Sequence, residues 1–258
     1  MAGDKRPDRW SREGEAISLM RPPRVPRPIR FDAQPAPLTV DLSRAALVVV
    51  DMQNDFLDPD GWFATVRGAD TSGLLGIVPR INALSAAFRD RGAQVIHLNW
   101  GIRADLANLP ANVVDKGSSC GAAPGYGDTI PSGDVLVQGK WGACSVPAID
   151  VLDGDLKVFK HRLSGFRDNE LEAILRRRDI ATVFYVGVNL DRCVFATLAD
   201  GCFQGFDAVL VEDATDTVSP PHVTDAILYL VRLLYGFTTK SDALLGAFQS
   251  PTDTGATT

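Results

Sequence analysis

The chain is 258 residues long and 45% hydrophobic, with 22% charged residues and a formal net charge of -6. That length and composition suit one large α/β domain and exclude a fibrous or wholly disordered chain. The surplus of 32 Asp plus Glu over 26 Lys plus Arg argues against nucleic acid as a partner.

No apolar run approaches the roughly 18 to 20 residues that cross a bilayer, so no membrane partner is expected. The first thirty residues are charged and Pro-rich, without the apolar stretch of a secretory leader, which places the protein in the cytoplasm by expectation. Four cysteines, Cys120, Cys144, Cys193 and Cys202, are too few for a disulfide scaffold and contain no C-x-x-C pair. A thiol nucleophile is the more informative reading.

Residues 1–38 form a Pro-rich arm, basic around Arg21-Pro22-Pro23-Arg24-Val25-Pro26-Arg27-Pro28. Two readings stay open for it: a disordered tail, or an arm packed along its own body or a neighbouring subunit. Residues 39–248 are read as one domain and 249–258 as a small, polar C-terminal tail.

Within the domain, short apolar runs alternate with helix-period segments, the pattern of βα units around a parallel sheet buried on both faces. Ala46 to Val50 is the first strand, stopping at Asp51. A helix follows with Leu74, Ile77, Val78, Ile81, Leu84 and Phe88 on one stripe, Pro79 in its first turn and Gly92 past its end. Val95 to Asn99 is the second strand. Residues 101–150 break the rhythm, with a hairpin expected near Val135 to Gly142 and the segment as a whole placed as a lid. Strand Leu156 to Lys160 resumes it, then a helix capped by Asp168 or Asn169 that turns Leu171, Ile174 and Leu175 inward, then strand Thr182 to Gly187. A helix from near Cys193 to Gly205, a strand at Ala208 to Val211 and a long helix burying Ile227, Leu228, Leu230, Val231 and Leu234 come next. A short strand at Phe237 to Thr239 and a terminal helix complete the order.

Ligands of open parallel sheets bind outside the carboxyl ends of the strands, so polar residues where apolar runs stop are examined first. Asp51 ends one strand, Lys160 another, and Cys193 follows a third through the turn Gly187-Val188-Asn189-Leu190-Asp191-Arg192. An acid, an amine and a thiol are mutually useful. A helix N-terminus and an ammonium favour the reactive thiolate, a carboxylate can take the thiol proton, and backbone N–H groups of the turn can receive an oxyanion. A thiolate of this kind would alkylate well below about pH 8. Singly, each residue has a plainer role: buried core cysteine, turn aspartate, surface lysine with its stem on apolar neighbours. Their combination at three strand ends favours chemistry.

The stretches Val48-Val49-Val50-Asp51-Met52-Gln53-Asn54-Asp55-Phe56, Lys160-His161-Arg162-Leu163-Ser164-Gly165-Phe166, and Gly187-Val188 through Cys193-Val194 together resemble the isochorismatase-like cysteine hydrolase family. The resemblance spans roughly residues 40 to 248 and implies a three-layer, Rossmann-like α/β fold with a six-stranded parallel sheet. It implies catalytic Asp51, Lys160 and Cys193, a cis peptide at Val188-Asn189, and an oxyanion hole from the N–H groups of Asn189 and Cys193. Lys140, in Gln138-Gly139-Lys140-Trp141, is a rival lysine, but it lies in the irregular insertion and Lys160 is preferred.

The nicotinamidases of that family carry an Asp-x-His pair and another histidine as metal ligands soon after the first strand. Here the histidines are His97, His161 and His222, widely spaced, so no metal and no other cofactor is expected. Leu190 and Leu163 also depart from the family's common Thr and aromatic residue, which reshapes the expected pocket. The metal-free members that the chain most resembles hydrolyse ureido, carbamoyl or related amides, through a covalent thioester. Asn54, Phe56, Trp100, Arg103 and Phe166 are the expected substrate-binding residues; Trp100 and Phe166 read equally as core aromatics, and Arg103 can pair with Asp105 instead. The expected partners are a small amide or ureido substrate and further copies of the chain, as a dimer or tetramer. The alternatives are a non-catalytic binder or redox-sensitive partner protein on the same fold, or a nicotinamidase-like or nitrile hydrolase.

Overall fold

A computed structural model of the protein describes residues 10–21 and 23–249. The first nine residues of the arm, Pro22 and all of the expected tail except Gln249 lie outside the described residues.

Two short antiparallel pairs begin the described chain: β1 (Ser11–Glu13) with β2 (Ala16–Ser18), and β3 (Pro28–Phe31) with β4 (Leu38–Asp41). Residues 23–38 take the packed alternative. Arg24 donates to the carbonyls of Ser43 and Arg178 at 2.5 and 2.6 Å, and Gln34 exchanges backbone hydrogen bonds with Thr238 at 2.8 and 3.1 Å. The arm thereby covers the edge of the main sheet, where unpaired N–H and C=O groups would otherwise face water.

That sheet has six parallel strands: β5 (Ala45–Val50), β6 (Gln94–Trp100), β9 (Leu156–Lys160), β10 (Thr182–Val188), β11 (Asp207–Asp216) and β12 (Phe237–Thr239), in the spatial order β12-β11-β10-β5-β6-β9. Every residue of β5 and β10 is buried, as their unbroken apolar runs require of central strands covered on both faces. Each fully buried Val or Leu contributes about 1.5–3 kcal/mol, so these two strands fix the register of everything attached to their ends. The single-turn helices α1 (Asn54–Leu57) and α2 (Trp62–Thr65) follow β5, and α3 (Val78–Asp90) leads into β6. Leu74, Ile77, Val78, Ile81, Leu84 and Phe88 are all buried, as their spacing required.

The insertion between β6 and β9 carries α4 (Ala111–Gly117) and a small hairpin of β7 (Thr129–Ile130) and β8 (Gly133–Asp134). The hairpin expected at Val135 to Gly142 is therefore misplaced. The turn chemistry lies in Pro131-Ser132-Gly133, with φ of 122° at the glycine, while Val135, Leu136 and Val137 tuck in as buried turn residues against Ile102 and Asp55. Helix α5 (Leu171–Arg177) begins two residues after the expected cap Asn169, whose side chain accepts from Leu171 N at 2.9 Å.

Beyond β10 come α6 (Phe195–Phe203), α7 (Pro221–Leu230) and α8 (Ser241–Gln249). The long-helix expectation fails on its face: Val231 is buried, Ile227, Leu228 and Leu230 are half-buried, and Leu234 is exposed. A π-turn at Val231–Tyr235 inserts an extra residue per turn and rotates Leu234 off the buried stripe. No helix among the described residues is long and apolar enough to cross a membrane.

Candidate active site

From β5 the chain moves outward through β6 to β9, then crosses back to lay β10, β11 and β12 on the other side of β5. Loops leaving β5 and β10 must therefore diverge, which opens a crevice at their carboxyl ends. Asp51 leaves β5 there and Asn189 leaves β10.

Local geometry aims them. Asp51 has φ of 51°, a left-handed conformation uncommon for residues other than Gly, Asn and Asp. Its N–H donates to Leu98 O at 2.9 Å while its carboxylate accepts from Trp100 N at 3.1 Å. Gly187 has φ of 106°, and a Cβ there would lie 2.2 Å from Val50 O, so only glycine lets β10 approach β5 this closely before the turn. The Val188–Asn189 peptide is cis, as the family resemblance implied. A π-turn at Leu190–Val194 then carries Cys193 into α6. Asn189 Oδ1 accepts from Val218 N at 3.2 Å, and Asp191 accepts from Thr217 Oγ1 at 2.5 Å and Ser219 Oγ at 2.8 Å, fixing the turn to the segment after β11. On its other side, Thr197 Oγ1 donates to Cys193 O at 2.6 Å and accepts from Gly165 N at 3.0 Å.

Lys160 ends β9 opposite Trp100 and runs across its ring, with Nζ 4.2 Å from the ring centroid, to reach Asp51 Oδ2 at 2.9 Å. Lys160 and Asp51 are 0% and 1% exposed, so the pair is held out of water. The Cys193 thiol lies in hydrogen-bond reach of the Asp51 carboxylate and receives Trp100 Nε1–H at 3.3 Å. Gln53 locks this frame, accepting from Trp100 N at 2.8 Å and donating to Trp100 O and Ala143 O at 2.8 and 2.7 Å. The three strand-end residues singled out by the sequence thus converge on one point. Lys140 instead lies 3.5 Å from Asp134, half-exposed.

Burial, reinforced by the Asp51 charge, pushes the Cys193 thiol up to about 12, against the pull of Lys160 and Trp100. Burial likewise raises Asp51 above the ordinary carboxylate range, although Lys160 and hydrogen bonds from Cys193 and Trp100 oppose it. Desolvation and the facing carboxylate thus favour the protonated form of Cys193, against the helix start and the ammonium that favour the thiolate.

A cavity of about 870 Å³ opens above the thiol. Phe56, Trp100, Asn189 and Cys193 line it, while Asp51 and Lys160 lie beneath its floor. Three expected substrate contacts do not line it. Asn54 is buried with its amide donating to Trp141 O at 2.8 Å; Phe166 stacks at a tilt on Phe206 in the core, 5.6 Å between centroids; Arg103 is exposed and forked onto Asp105 at 2.8 and 2.6 Å. The sequence reading missed Trp62, Phe63, Arg67, Lys116, Tyr126 and Arg192, which do line it. Tyr126 and Lys116 belong to the insertion, which supplies a whole wall. Two other cavities, about 650 and 720 Å³, lie against the arm around Arg24, and none of Asp51, Lys160 or Cys193 lines either. Among the described residues no three His, Cys, Asp or Glu side chains converge as metal ligands.

The isochorismatase domain profile matches residues 45–242 of this chain. The chain belongs to the isochorismatase family, and it is a hydrolase. It is similar to the ureidoacrylate amidohydrolase of Caulobacter segnis, 29% identical over 228 residues, 88% of this chain and 95% of that protein. The enzyme of the same name from Azorhizobium caulinodans is 31% identical over 206 residues, 80% and 90% of the two chains. Among solved structures, N-carbamoylsarcosine amidase from Thermoplasma acidophilum aligns with a TM-score of 0.60 at 28% identity, covering 77% of this chain and 97% of its own. A cysteine hydrolase from Pseudomonas syringae shares the fold with a TM-score of 0.69 at 22% identity, over 81% and 94% of the two chains.

Proposed function

We propose that this isochorismatase-family hydrolase is a metal-independent cysteine amidohydrolase that cleaves a C–N bond of a small ureido, carbamoyl or related amide. The observation carrying the reading is the buried Asp51–Lys160 pair at 2.9 Å with the Cys193 thiol against the same carboxylate. The names of its relatives, amidohydrolases and an amidase, point to the same bond.

Asp51 takes the Cys193 proton as Sγ attacks the carbonyl carbon, and the C=O electron pair moves to oxygen, where the N–H groups of Asn189 and Cys193 receive it. Lys160 holds Asp51 as a carboxylate until that moment and balances the charge that develops above it. Collapse breaks the C–N bond, and Asp51 returns its proton to the leaving ammonia or amine. A water then gives a proton to Asp51 and adds to the thioester; collapse releases the acid, and Sγ recovers the proton from Asp51. The aromatic floor keeps bulk water from competing, and no step calls for a metal.

Ammonia release from ureido acids, carbamoyl amino acids, biuret-like compounds and nicotinamide tests this, with Cys193→Ser beside the wild type and with and without chelator. Cys193-dependent, chelator-insensitive release is the expected result. Silence from folded protein across the panel, or release that survives Cys193→Ser, overturns the proposal.

A further inference from the structure

The two cavities beside the arm lie at the amino ends of the strands, where Ala45 opens β5 and Gln94 opens β6, the opposite end of the sheet from Asp51 and Cys193. We infer that they form a binding site for a small oligophosphate, either the free chain or the phosphate tail of a nucleotide, held between arginines of the arm and arginines at the end of α5.

The charges around them are nearly all of one sign. Arg24, Arg27, Arg177 and Arg178 line the cavity of about 650 Å³, and no Asp or Glu does. Arg21, Arg24, Arg44, Arg176 and Arg177 line the cavity of about 720 Å³, where the acids are Asp41 and Asp179. Pro23, Arg24 and Arg177 line both, so the two spaces adjoin across the arm. Seven arginines thus meet two carboxylates, in a chain whose formal net charge is -6. The carbonyl ends of α3 and α5 also come to this face, at about half a negative charge each, which leaves an excess of roughly four positive charges.

Little of that charge is met locally. Asp41 is taken up by Arg27 N, Ser43 N and Ser43 Oγ at 2.8 to 2.9 Å, and Asp179 is shared by Arg44 at 2.7 Å and Arg24 at 3.6 Å. Arg176 has Glu172 at 3.5 Å. Among the described residues, Arg21, Arg27 and Arg178 have no carboxylate within ion-pair distance. Neutral groups hold the arm's guanidiniums in place instead. Arg24 donates to Ser43 O and Arg178 O, and Arg27 to Arg91 O and Gly92 O. A Cβ on Gly92 would lie 2.9 Å from Arg27 Nη1, so the glycine makes room for that side chain. Carbonyl oxygens fix the direction of a guanidinium without cancelling its charge. The arm and the end of α5 therefore hold like charges side by side, a repulsion that an anion between them relieves. Guanidinium forks match phosphate oxygens two at a time, and several forks in adjoining cavities favour a chain of phosphates over a single one. Cavities of this volume suit a metabolite rather than a polymer.

Isothermal titration of the full-length protein with tripolyphosphate, ATP, citrate and orthophosphate, without divalent metal and at matched ionic strength, tests the inference. Tripolyphosphate should bind at least about ten-fold more tightly than orthophosphate and more tightly than citrate, with an affinity that falls as sodium chloride rises. Arg21→Gln with Arg178→Gln should weaken it about ten-fold. The thermal midpoint of the free protein should not fall, since among the described residues the Arg178 side chain makes no hydrogen bond and Arg21 makes one, to Leu19 O at 2.8 Å. Arg178→Gln alone should weaken binding about three-fold, which keeps the test intact if the double variant unfolds early. Arg67→Gln, in the cavity above the thiol, should leave the affinity unchanged. ATP binding no tighter than tripolyphosphate assigns the site to the phosphate chain, and ATP binding tighter assigns it to a nucleotide; both uphold the inference. Equal affinity for tripolyphosphate and orthophosphate, tighter binding of citrate, indifference to both Arg178 variants, or loss of binding on Arg67→Gln overturns it.

Discussion

The two halves of the active-site cleft are built on different principles. Its floor is made by strand ends: Asp51, Lys160 and the turn before Cys193 hang from β5, β9 and β10, whose central members are buried along their full length. Its far wall is made by the insertion between β6 and β9, short elements joined by turns, with left-handed residues at Leu106, Ser119, Cys120 and Leu136. On the proposed function the floor sets what bond is broken, because reacting groups need positions held within fractions of an ångström. The wall sets what is admitted. Variants in the floor should therefore act on kcat and variants in the wall on KM or stability.

The largest effect belongs to the proposed nucleophile. Cys193→Ala should lower kcat by a thousand-fold or more, on the order seen when a covalent route is removed, while thermal stability changes little because Cys193 contributes one small side chain. Asp51→Asn keeps the shape but cannot accept a proton, and should cost roughly 10²–10⁴ in kcat. Because the Asp51 charge is one of the causes that raise the Cys193 thiol, this variant should also lower the pH at which Cys193 alkylates with iodoacetamide even as kcat falls. Fast alkylation of wild-type Cys193 below about pH 7 would show that the proton resides elsewhere than this geometry places it.

A smaller effect, of the other kind, is expected at the junction of wall and floor. Asp55 is buried, accepts from Leu136 N at 2.7 Å and Trp62 N at 3.3 Å, and meets Gly142 so closely that a Cβ there would lie 2.0 Å from Oδ2. Gly142→Ala should cost about 1–3 kcal/mol of stability through overpacking and raise KM as the wall shifts. Denaturant titration and steady-state kinetics check both; a stable variant with a reduced kcat and an unchanged KM contradicts the division of labour.

The same contrast governs what could be read from the sequence. Asp51, Lys160 and Cys193 were legible because a strand end is a local event: the apolar run stops, a polar residue follows, and parallel topology brings such ends together. The six-strand sheet followed from the same runs. Tyr126, Lys116 and Arg67 were not legible, since no period or spacing in a turn-rich segment says which side chain meets a cavity. Arg103 was misplaced by proximity in sequence, its fork being closed by Asp105 two residues away. Phe166 follows a strand end, yet its segment turns back into the core beside Gly201, 3.0 Å from where a Cβ would stand.

The smallest effect probes where the insertion returns to the sheet. Asp155, just before β9, accepts from Arg89 at 2.9 and 2.7 Å, from Leu152 N at 2.9 Å, and meets His97 Nε2 of β6 at 3.1 Å. Burial holds the His97 imidazole below its usual 6.5, outweighing the pull of Asp155. Burial works against the Asp155 carboxylate too, but hydrogen bonds from Arg89, Leu152 and His97 bring it below 3.8. A base with a depressed folded pKa takes its proton more readily when unfolded, so its contribution to stability is whole above 6.5 and is lost as pH falls through the folded value. Asp155 keeps its own contribution until pH drops below 3.8; between the two values the imidazoles act against the buried carboxylates Asp51 and Asp55, whose raised values give the opposite slope. His161 is shifted the same way by burial and Arg162 but is less enclosed, so His97→Gln should flatten the acid slope of unfolding free energy more than His161→Gln does. Hydrogen exchange at pH 5.5 should then show residues 150–156 opening before 186–194; equal protection of the two would mean that the insertion's root is as rigid as the strand ends it was contrasted with.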